Sequence, residues 1–137
     1  MTLTLDDKFA IHQTIALYGH LIDERQFSRL GEIFSDHAVF DLSPYGGEVY
    51  SGLNAIIKMM CESREHPLAH HASNIVIDDA GMSTGIVAVV SKGLGVGFKG
   101  RVGSVVYKDK FVQLNGLWRI QHRLCILRSA ESIPAIS

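Results

Sequence analysis

The first regular hydrophobic pattern in the chain runs from Thr4 to Asp23. Its apolar positions recur at the i, i+4, i+7 and i+11 spacing of one helix face: Ile11, Ile15, Tyr18 and Ile22. Thr4 can cap this helix, because Asp6 and Asp7 follow in the first turn, where the helix dipole favours negative charge. The pattern therefore predicts a long helix that carries the Tyr18 hydroxyl into the interior.

Residues 26–62 alternate between shorter helical and extended patterns. Gln26 to Phe34 and Ser51 to Glu62 read as a second and a third helix, with Ser51 as the cap of the third. Between them, Ala38 to Leu42 reads as a short strand. The Pro- and Gly-containing segment Ser43 to Gly52 reads as a loop over a pocket mouth.

From residue 68 onward the pattern is that of strands separated by turns. Met82 to Ser91, Val102 to Gln113 and Leu117 to Arg128 are strands, and the glycines of residues 93–100 mark a flexible turn. Three N-terminal helices and four long antiparallel strands predict an α+β fold. We expect a cone-shaped α+β barrel with a strongly curved mixed or antiparallel sheet. Residues 1–137 would form one domain, with a core from about 5 to 128 and a C-terminal tail from 129 to 137.

The strand from Met82 to Ser91 is apolar on both of its faces. A strand of this kind is covered on both sides, so helices are expected on one face and another subunit on the other. The pattern therefore predicts a homodimer or a homotrimer, without choosing between them.

Two charged residues stand out in the last two strands. Asp109 alternates in phase with apolar neighbours and so points inward, where a carboxylate needs a partner or a proton. Arg123 is out of phase with Trp118, and it faces outward if Trp118 is in the core, unless a bulge intervenes.

The stretch from Pro67 to Asp78 passes from a loop into an alternating strand. His70, Ala72 and Asn74 share one face, and the opposite face begins with His71. An imidazole and an amide among small residues are typical of the wall of a polar pocket. A strand end with two partly exposed histidines fits the same pattern.

Composition excludes several classes of function. The 137 residues carry a formal net charge of −1, and no basic stripe is present, so nucleic-acid binding is not expected. No apolar run approaches the about 20 residues of a membrane span, and no signal peptide is visible, so the expected location is the cytoplasm. Cys61 and Cys125 match no metal spacing and are expected to be buried free thiols.

Seven short motifs follow one another along residues 5–128: Tyr18 with Asp23, Phe27, Leu30 with Phe34, Ala-Val-Phe-Asp at 38–41, His70 with Asn74, Tyr107 with Asp109, and Gly-x-Trp-Arg-x3-Arg at 116–123. In this order they resemble the SnoaL-like group of the nuclear-transport-factor-2-like superfamily, which includes polyketide cyclases, scytalone dehydratase and bile-acid dehydratases. The resemblance implies this group's cone-shaped fold and acid–base chemistry without a cofactor or a metal.

In the dehydratases of that group a tyrosine, an aspartate and a histidine line the cone. The resemblance implies that His70 is the general base, that Tyr18 donates to a developing enolate oxygen, and that Asp23 orients a group or protonates the leaving hydroxyl. Asp109 would hold the other nitrogen of the imidazole. Supporting roles fall to Tyr107, Arg123 and Asn74, while His71 and His122 remain competing histidines.

The expected substrate is an apolar ring compound of modest size, because the predicted pocket walls are hydrophobic. These walls are Phe9, Phe40, Leu53, Met60, Val105 and Phe111. A small lyase or isomerase of the dehydratase or cyclase type is one reading. A non-catalytic binding or accessory domain is the alternative, and the small subunit of a ring-hydroxylating oxygenase is a third.

Overall fold

The structure is a computed structural model that describes residues 2–137, apart from the side chain of Tyr45. Its long N-terminal helix, α1 (Leu5–Asp23), agrees with the sequence pattern. The Thr4 hydroxyl accepts from the backbone N–H of Asp7 at 3.0 Å, and the Asp7 carboxylate accepts from the N–H of Thr4 at 2.9 Å. The predicted apolar stripe from Ile11 to Ile22 is buried. Because α1 ends at Asp23, that carboxylate lies where the chain turns away from the helix.

The second and third predicted helices differ in the structure. The second is a 3-10 helix from Phe27 to Glu32, and Phe34 already belongs to the first strand. The third, α2, spans Leu53–Glu62. It is preceded by Gly52 at φ 95°, a left-handed conformation that favours glycine, so the prediction that Ser51 caps this helix is wrong.

Within residues 2–137, six strands form one sheet: β1 (Phe34–Asp41), β2 (Val49–Ser51), β3 (Ala69–Asp78), β4 (Ile86–Val96), β5 (Val102–Leu114) and β6 (Leu117–Leu127). Their order in the sheet is β2-β1-β6-β5-β4-β3. All neighbouring pairs are antiparallel except β1 and β6, which run parallel. The α+β prediction is confirmed. The sheet is curled around α1, but it does not close into a barrel.

The glycines assigned to a flexible turn are partly strand residues. Gly93 and Gly95 lie inside β4, and the turn is confined to the residues between β4 and β5. A Cβ atom on Gly93 would lie 2.6 Å from Cε2 of Tyr107 and 2.9 Å from Cγ2 of Val105. Glycine is needed there because the Tyr107 ring lies directly against the β4 backbone.

A bulge in β6 decides which way Arg123 points. Phe111 pairs with Ile120 and Lys110 with His122, so Gln121 is the extra residue between the two pairs. The alternation of side chains is reversed beyond Gln121. Trp118, Ile120 and Arg123 consequently all face the interior, and the alternative in which Arg123 faces outward is wrong.

The outer face of the sheet keeps apolar side chains exposed, among them Val90, Leu94 and Val102.

Cys125 is buried, but Cys61 is exposed, so the prediction of two buried thiols is wrong for Cys61. Within residues 2–137, no helix has the length and apolar character needed to cross a membrane. Beyond β6, the chain has only a short 3-10 helix, Ala130–Ser132.

Candidate active site

Asp23 and His70 meet where the end of α1 packs against the start of β3. Oδ1 of Asp23 lies 2.6 Å from Nδ1 of His70, and Oδ2 accepts the backbone N–H of His70 at 2.9 Å. The two side chains are 21% and 17% exposed, respectively. The close approach of the two elements uses Gly19, where a Cβ atom would lie 3.1 Å from the carbonyl oxygen of His70.

This contact fixes how the imidazole can work. The carboxylate can only accept, so Nδ1 is the protonated nitrogen of the neutral ring and Nε2 carries the free lone pair. A carboxylate behind an imidazole holds its orientation and stabilises the imidazolium that forms when Nε2 takes a proton. The arrangement can act as a general base, with Asp23 as the orienting group.

Asp109 has a different partner from the one expected. Its two oxygens accept from Nε and Nη2 of Arg123 at 2.8 Å and 2.9 Å, and both side chains are fully buried. The prediction that Asp109 holds His70 is therefore wrong. Asp109 neutralises the inward-facing Arg123, and Asp23 holds the imidazole.

Two tyrosines enclose the Arg123 guanidinium. Its central carbon lies 4.5 Å from the centroid of the Tyr18 ring and 3.9 Å from that of Tyr107, within range of cation–π attraction. The Tyr18 ring also meets His70 edge-on, with centroids 6.4 Å apart. Tyr18 thus lies beside both the imidazole and the guanidinium.

Burial keeps both phenols protonated. It raises the pKa of Tyr18 to about 12, although the nearby Arg123 charge acts in the opposite direction. Burial, followed by the proximity of Tyr18, also raises the pKa of Tyr107 well above its ordinary value. Near neutral pH both side chains are therefore neutral hydrogen-bond donors.

These groups surround a cavity of about 10 Å³. Such a volume holds about one water molecule, so the cavity is far smaller than a ring compound. Its lining combines polar groups with small residues of α1, β3 and β4. The sequence pattern placed Ala72 in a pocket wall, but it did not assign Gly19 or Gly93 to a pocket. The lining is formed by Ile15, Tyr18, Gly19, His70, His71, Ala72, Gly93, Tyr107 and Arg123.

The predicted hydrophobic walls lie elsewhere. Phe9 is 70% exposed because it lies off the buried stripe of α1, so its assignment to the pocket is wrong. The remaining five are buried or half-buried in the core, and none of them lines the cavity described above: Phe40, Leu53, Met60, Val105 and Phe111.

Asn74 is also displaced from the site. It lies at an irregularity in β3 with φ 54°, is exposed to solvent, and accepts the Ser73 hydroxyl at 2.7 Å. The prediction that Asn74 faces the pocket with His70 is wrong, because the irregularity ends the alternation. Both His70 and His71 border the cavity, but only His70 is bound by a carboxylate among the described residues.

One cavity residue that the sequence reasoning missed, Gly19, has a spacing that could have identified it. Gly19 lies four residues before Asp23 on α1, so it faces the same side of the helix as that carboxylate. Such a spacing could have indicated that β3 approaches α1 at this point.

Among the described residues no group of three or more His, Cys, Asp or Glu side chains is arranged as metal ligands.

A larger concavity of about 410 Å³ lies away from this site. It is bordered by the first residues of β1 and by the hairpin between β5 and β6, including the exposed Leu114 and Leu117. Its described lining contains none of Tyr18, Asp23 and His70.

Solved structures share this fold. A protein of unknown function with a cystatin-like fold from Nostoc punctiforme is 18% identical, with a TM-score of 0.81 over 95% of this chain and 97% of that one. The hexachlorocyclohexane dehydrochlorinase LinA-type3 from Novosphingobium barchaimii is 19% identical, with a TM-score of 0.76 over 97% and 96%. A scytalone dehydratase-like protein from Novosphingobium aromaticivorans is 23% identical, with a TM-score of 0.76 over 91% and 86%.

The comparison with curated proteins found no significant match. The profile of the SnoaL-like domain matches residues 3–124, which is nearly the whole chain. The protein therefore belongs to the SnoaL-like domain family.

Proposed function

We propose that this protein is an acid–base catalyst of the lyase or isomerase type that removes a proton next to a carbonyl group of an apolar ring compound. The observation that carries the proposal is the 2.6 Å contact between Asp23 and Nδ1 of His70 at the edge of a cavity. It leaves Nε2 as the base in a partly enclosed site. The fold is shared with a dehydrochlorinase and a scytalone dehydratase-like protein, which agrees with such chemistry.

The roles follow from the contacts. His70 takes the proton at Nε2, and Asp23 holds the imidazole and offsets the charge that it acquires. Both oxygens of Asp23 are engaged by His70, so we assign it the orienting role rather than protonation of a leaving group. Tyr18, kept protonated by burial, donates to the oxygen on which negative charge develops.

Substrate binding requires the cavity to widen beyond its volume of about 10 Å³. One of its walls is β3, an edge strand in which both His71 and Ala72 are exposed. An outward shift of this strand would admit a ring while α1 keeps Tyr18 and Asp23 in place. Edge segments with few buried contacts are the ones that open most readily.

The apolar outer face of β4 and β5 supports a second part of the proposal, that copies of the chain associate as a homodimer or homotrimer. Sedimentation of the purified protein measures this directly, and a monomer at all concentrations would contradict it. The proposed site of action is the cytoplasm.

The catalytic proposal is tested by proton exchange, because removal of an acidic C–H next to a ring carbonyl exchanges it with solvent. In D₂O, we expect the protein to accelerate deuterium incorporation into a panel of cyclohexanone, 2-tetralone and a 3-keto steroid, followed by ¹H NMR. His70→Gln should slow the enzymatic exchange by about 100- to 10,000-fold. His71→Gln is the matched control and should retain exchange.

Two outcomes would contradict the proposal. Exchange that survives His70→Gln with a few-fold loss would remove His70 as the base. No acceleration of exchange with any of the three ketones would favour the alternative, a non-catalytic small-molecule-binding domain.

A further inference from the structure

Arg123 has an unused hydrogen-bond donor in the interior. Its side chain is fully buried, and Asp109 occupies Nε and Nη2. Nη1 is also buried, and it has no hydrogen-bond partner among the described residues. Leaving a charged buried donor unpaired is costly, and such groups are rare in folded proteins. The unpaired nitrogen therefore points to a group that is bound when the site is occupied.

The surroundings of Arg123 restrict what that group can be. The cavity that Arg123 borders also has Tyr18, Tyr107 and His70 in its lining, and its volume is about 10 Å³. The guanidinium and the two protonated phenols are hydrogen-bond donors, and the Tyr18 hydroxyl also interacts with Tyr107 and Arg123 within this cluster. An enclosure rich in donors and the size of one water molecule suits a single acceptor atom with negative charge.

We infer that Tyr18, Tyr107 and the Nη1 edge of Arg123 form a subsite for a small monovalent anion of monatomic size, such as a halide. If the proposed function holds, the substrate atom that becomes negatively charged occupies this subsite. That atom is an enolate oxygen or a departing halide. The anion binding itself needs no substrate and no turnover.

Charge balance links this subsite to His70. Arg123 is already neutralised by Asp109, and Asp23 adds a further negative charge beside the imidazole. The other titratable groups that border the cavity are Tyr18, Tyr107 and His71. An added anion is therefore best compensated by a proton on Nε2 of His70, so anion binding takes up a proton.

That state has the charges of the reaction just after proton removal. In the proposed step the substrate C–H bond breaks and the proton goes to Nε2. The electron pair moves to the carbonyl oxygen, or forms a double bond as a halide departs with its own pair. In both cases an imidazolium faces an anion held by Arg123 and the phenols. The resting protein should accordingly bind a halide and a proton together.

The test is a bromide titration of the ¹⁵N-labelled protein, followed by its backbone amide resonances. Sodium bromide should cause saturable shifts at Gly19, Ala72 and Gly93, which border the cavity. Sodium sulfate at matched ionic strength should not, because sulfate exceeds the space available. Affinity should rise as the pH falls, because binding of the anion is coupled to uptake of a proton.

Variants separate the subsite from general salt effects. Arg123→Lys keeps a cation for Asp109 but offers one nitrogen in place of three, so the donor for the anion is lost and bromide affinity should fall at least about tenfold. Arg119→Lys is the matched control, because Arg119 lies on the same strand and binds the carbonyl of Gly31 away from the cavity, and it should leave affinity unchanged. If Arg123→Lys does not fold, Tyr107→Phe removes one donor and keeps the ion pair, with an expected loss of about tenfold.

The inference is overturned if bromide shifts are linear and spread over the surface, if sulfate gives the same shifts, or if Arg123→Lys and Tyr107→Phe both bind bromide as the wild type does. It fails separately from the proposed function. Deuterium exchange that depends on His70 without bromide binding removes only the subsite, and bromide binding without exchange removes only the catalysis.

Discussion

Two aspartates in one interior have opposite kinds of partner. Asp23 binds His70 in a pair whose side chains are 21% and 17% exposed, and Asp109 binds Arg123 in a pair that is fully buried. An imidazole exchanges protons near neutral pH, whereas a guanidinium stays charged. The first pair can therefore take part in proton transfer, and the second supplies a fixed charge that positions the rings beside it. The same carboxylate group has a proposed role in proton transfer in one place and balances a buried charge in the other.

The largest expected effect comes from breaking the buried pair. Asp109→Ala leaves the Arg123 charge in the interior without its partner, and the free energy of unfolding should fall by about 3–5 kcal/mol. Urea denaturation followed by circular dichroism measures the change. Asp109→Asn keeps one acceptor and should lose less. A loss of under about 1 kcal/mol in Asp109→Ala would mean that Arg123 is not desolvated as the structure has it.

Alkaline titration examines the rings that enclose the buried pair. Burial raises the pKa of Tyr18 from 10.0 to about 12, so its neutral form is favoured by folding. This contribution to stability is fully present below about pH 10 and is lost as the pH rises towards about 12. The resulting loss in the free energy of unfolding is about 2–3 kcal/mol.

Denaturant unfolding between about pH 9 and about pH 12 should therefore show falling stability, less steeply in Tyr18→Phe. Tyr107 and Cys125 act in the same direction, because burial also raises the pKa of each, that of Cys125 to about 11. Equal slopes for the wild type and Tyr18→Phe would contradict the assignment to Tyr18.

A smaller effect is expected from displacing one of those rings. In Gly93→Ala the new methyl group would lie 2.6 Å from Tyr107, and the ring must move away from its position 3.9 Å from the guanidinium. We expect a loss of about 1–3 kcal/mol in unfolding free energy, the usual cost of overpacking. Thermal unfolding measures it. Gly103→Ala in the adjacent strand β5 is the control, since nothing lies within 4 Å of the added atom.

The smallest effect on stability should come from the partly exposed pair of Asp23 and His70. Asp23→Asn keeps an acceptor for the backbone N–H of His70, so the unfolding free energy should fall by about 1 kcal/mol. The proton exchange proposed for the site should nevertheless drop strongly, because the imidazole loses its orienting charge. A double-mutant cycle with His70→Gln measures the coupling. A stability loss as large as that of Asp109→Ala would remove the contrast between the pairs.

Sequence reasoning succeeded where side-chain periodicity stayed regular. The apolar stripe of α1 located Tyr18 in the core, and the end of the helix at Asp23 allowed this residue to meet His70. The resemblance supplied the family, which the domain match confirms. The catalytic roles themselves stay predictions until exchange is measured.

The sequence-based predictions of side-chain direction were wrong where one residue interrupts the alternation of side chains along a strand. The extra residue Gln121 turns Arg123 inward, and without that turn Asp109 has no visible partner in the sequence pattern. The irregularity of β3 removes Asn74 from the site for the same reason. Gly93 was assigned to a turn because a missing side chain gives the same signal in a loop and beneath a packed ring.

The irregularity at Asn74 also bears on how chains meet one another. β3 and β2 are the two edges of the sheet, and an exposed edge offers unpaired backbone groups to another chain. β2 has only three residues, and β3 is interrupted between Ser73 and Val76, so neither presents a long regular template. Both edges therefore disfavour sheet extension and fibrous aggregation, and any assembly of this protein is expected to use the faces of the sheet.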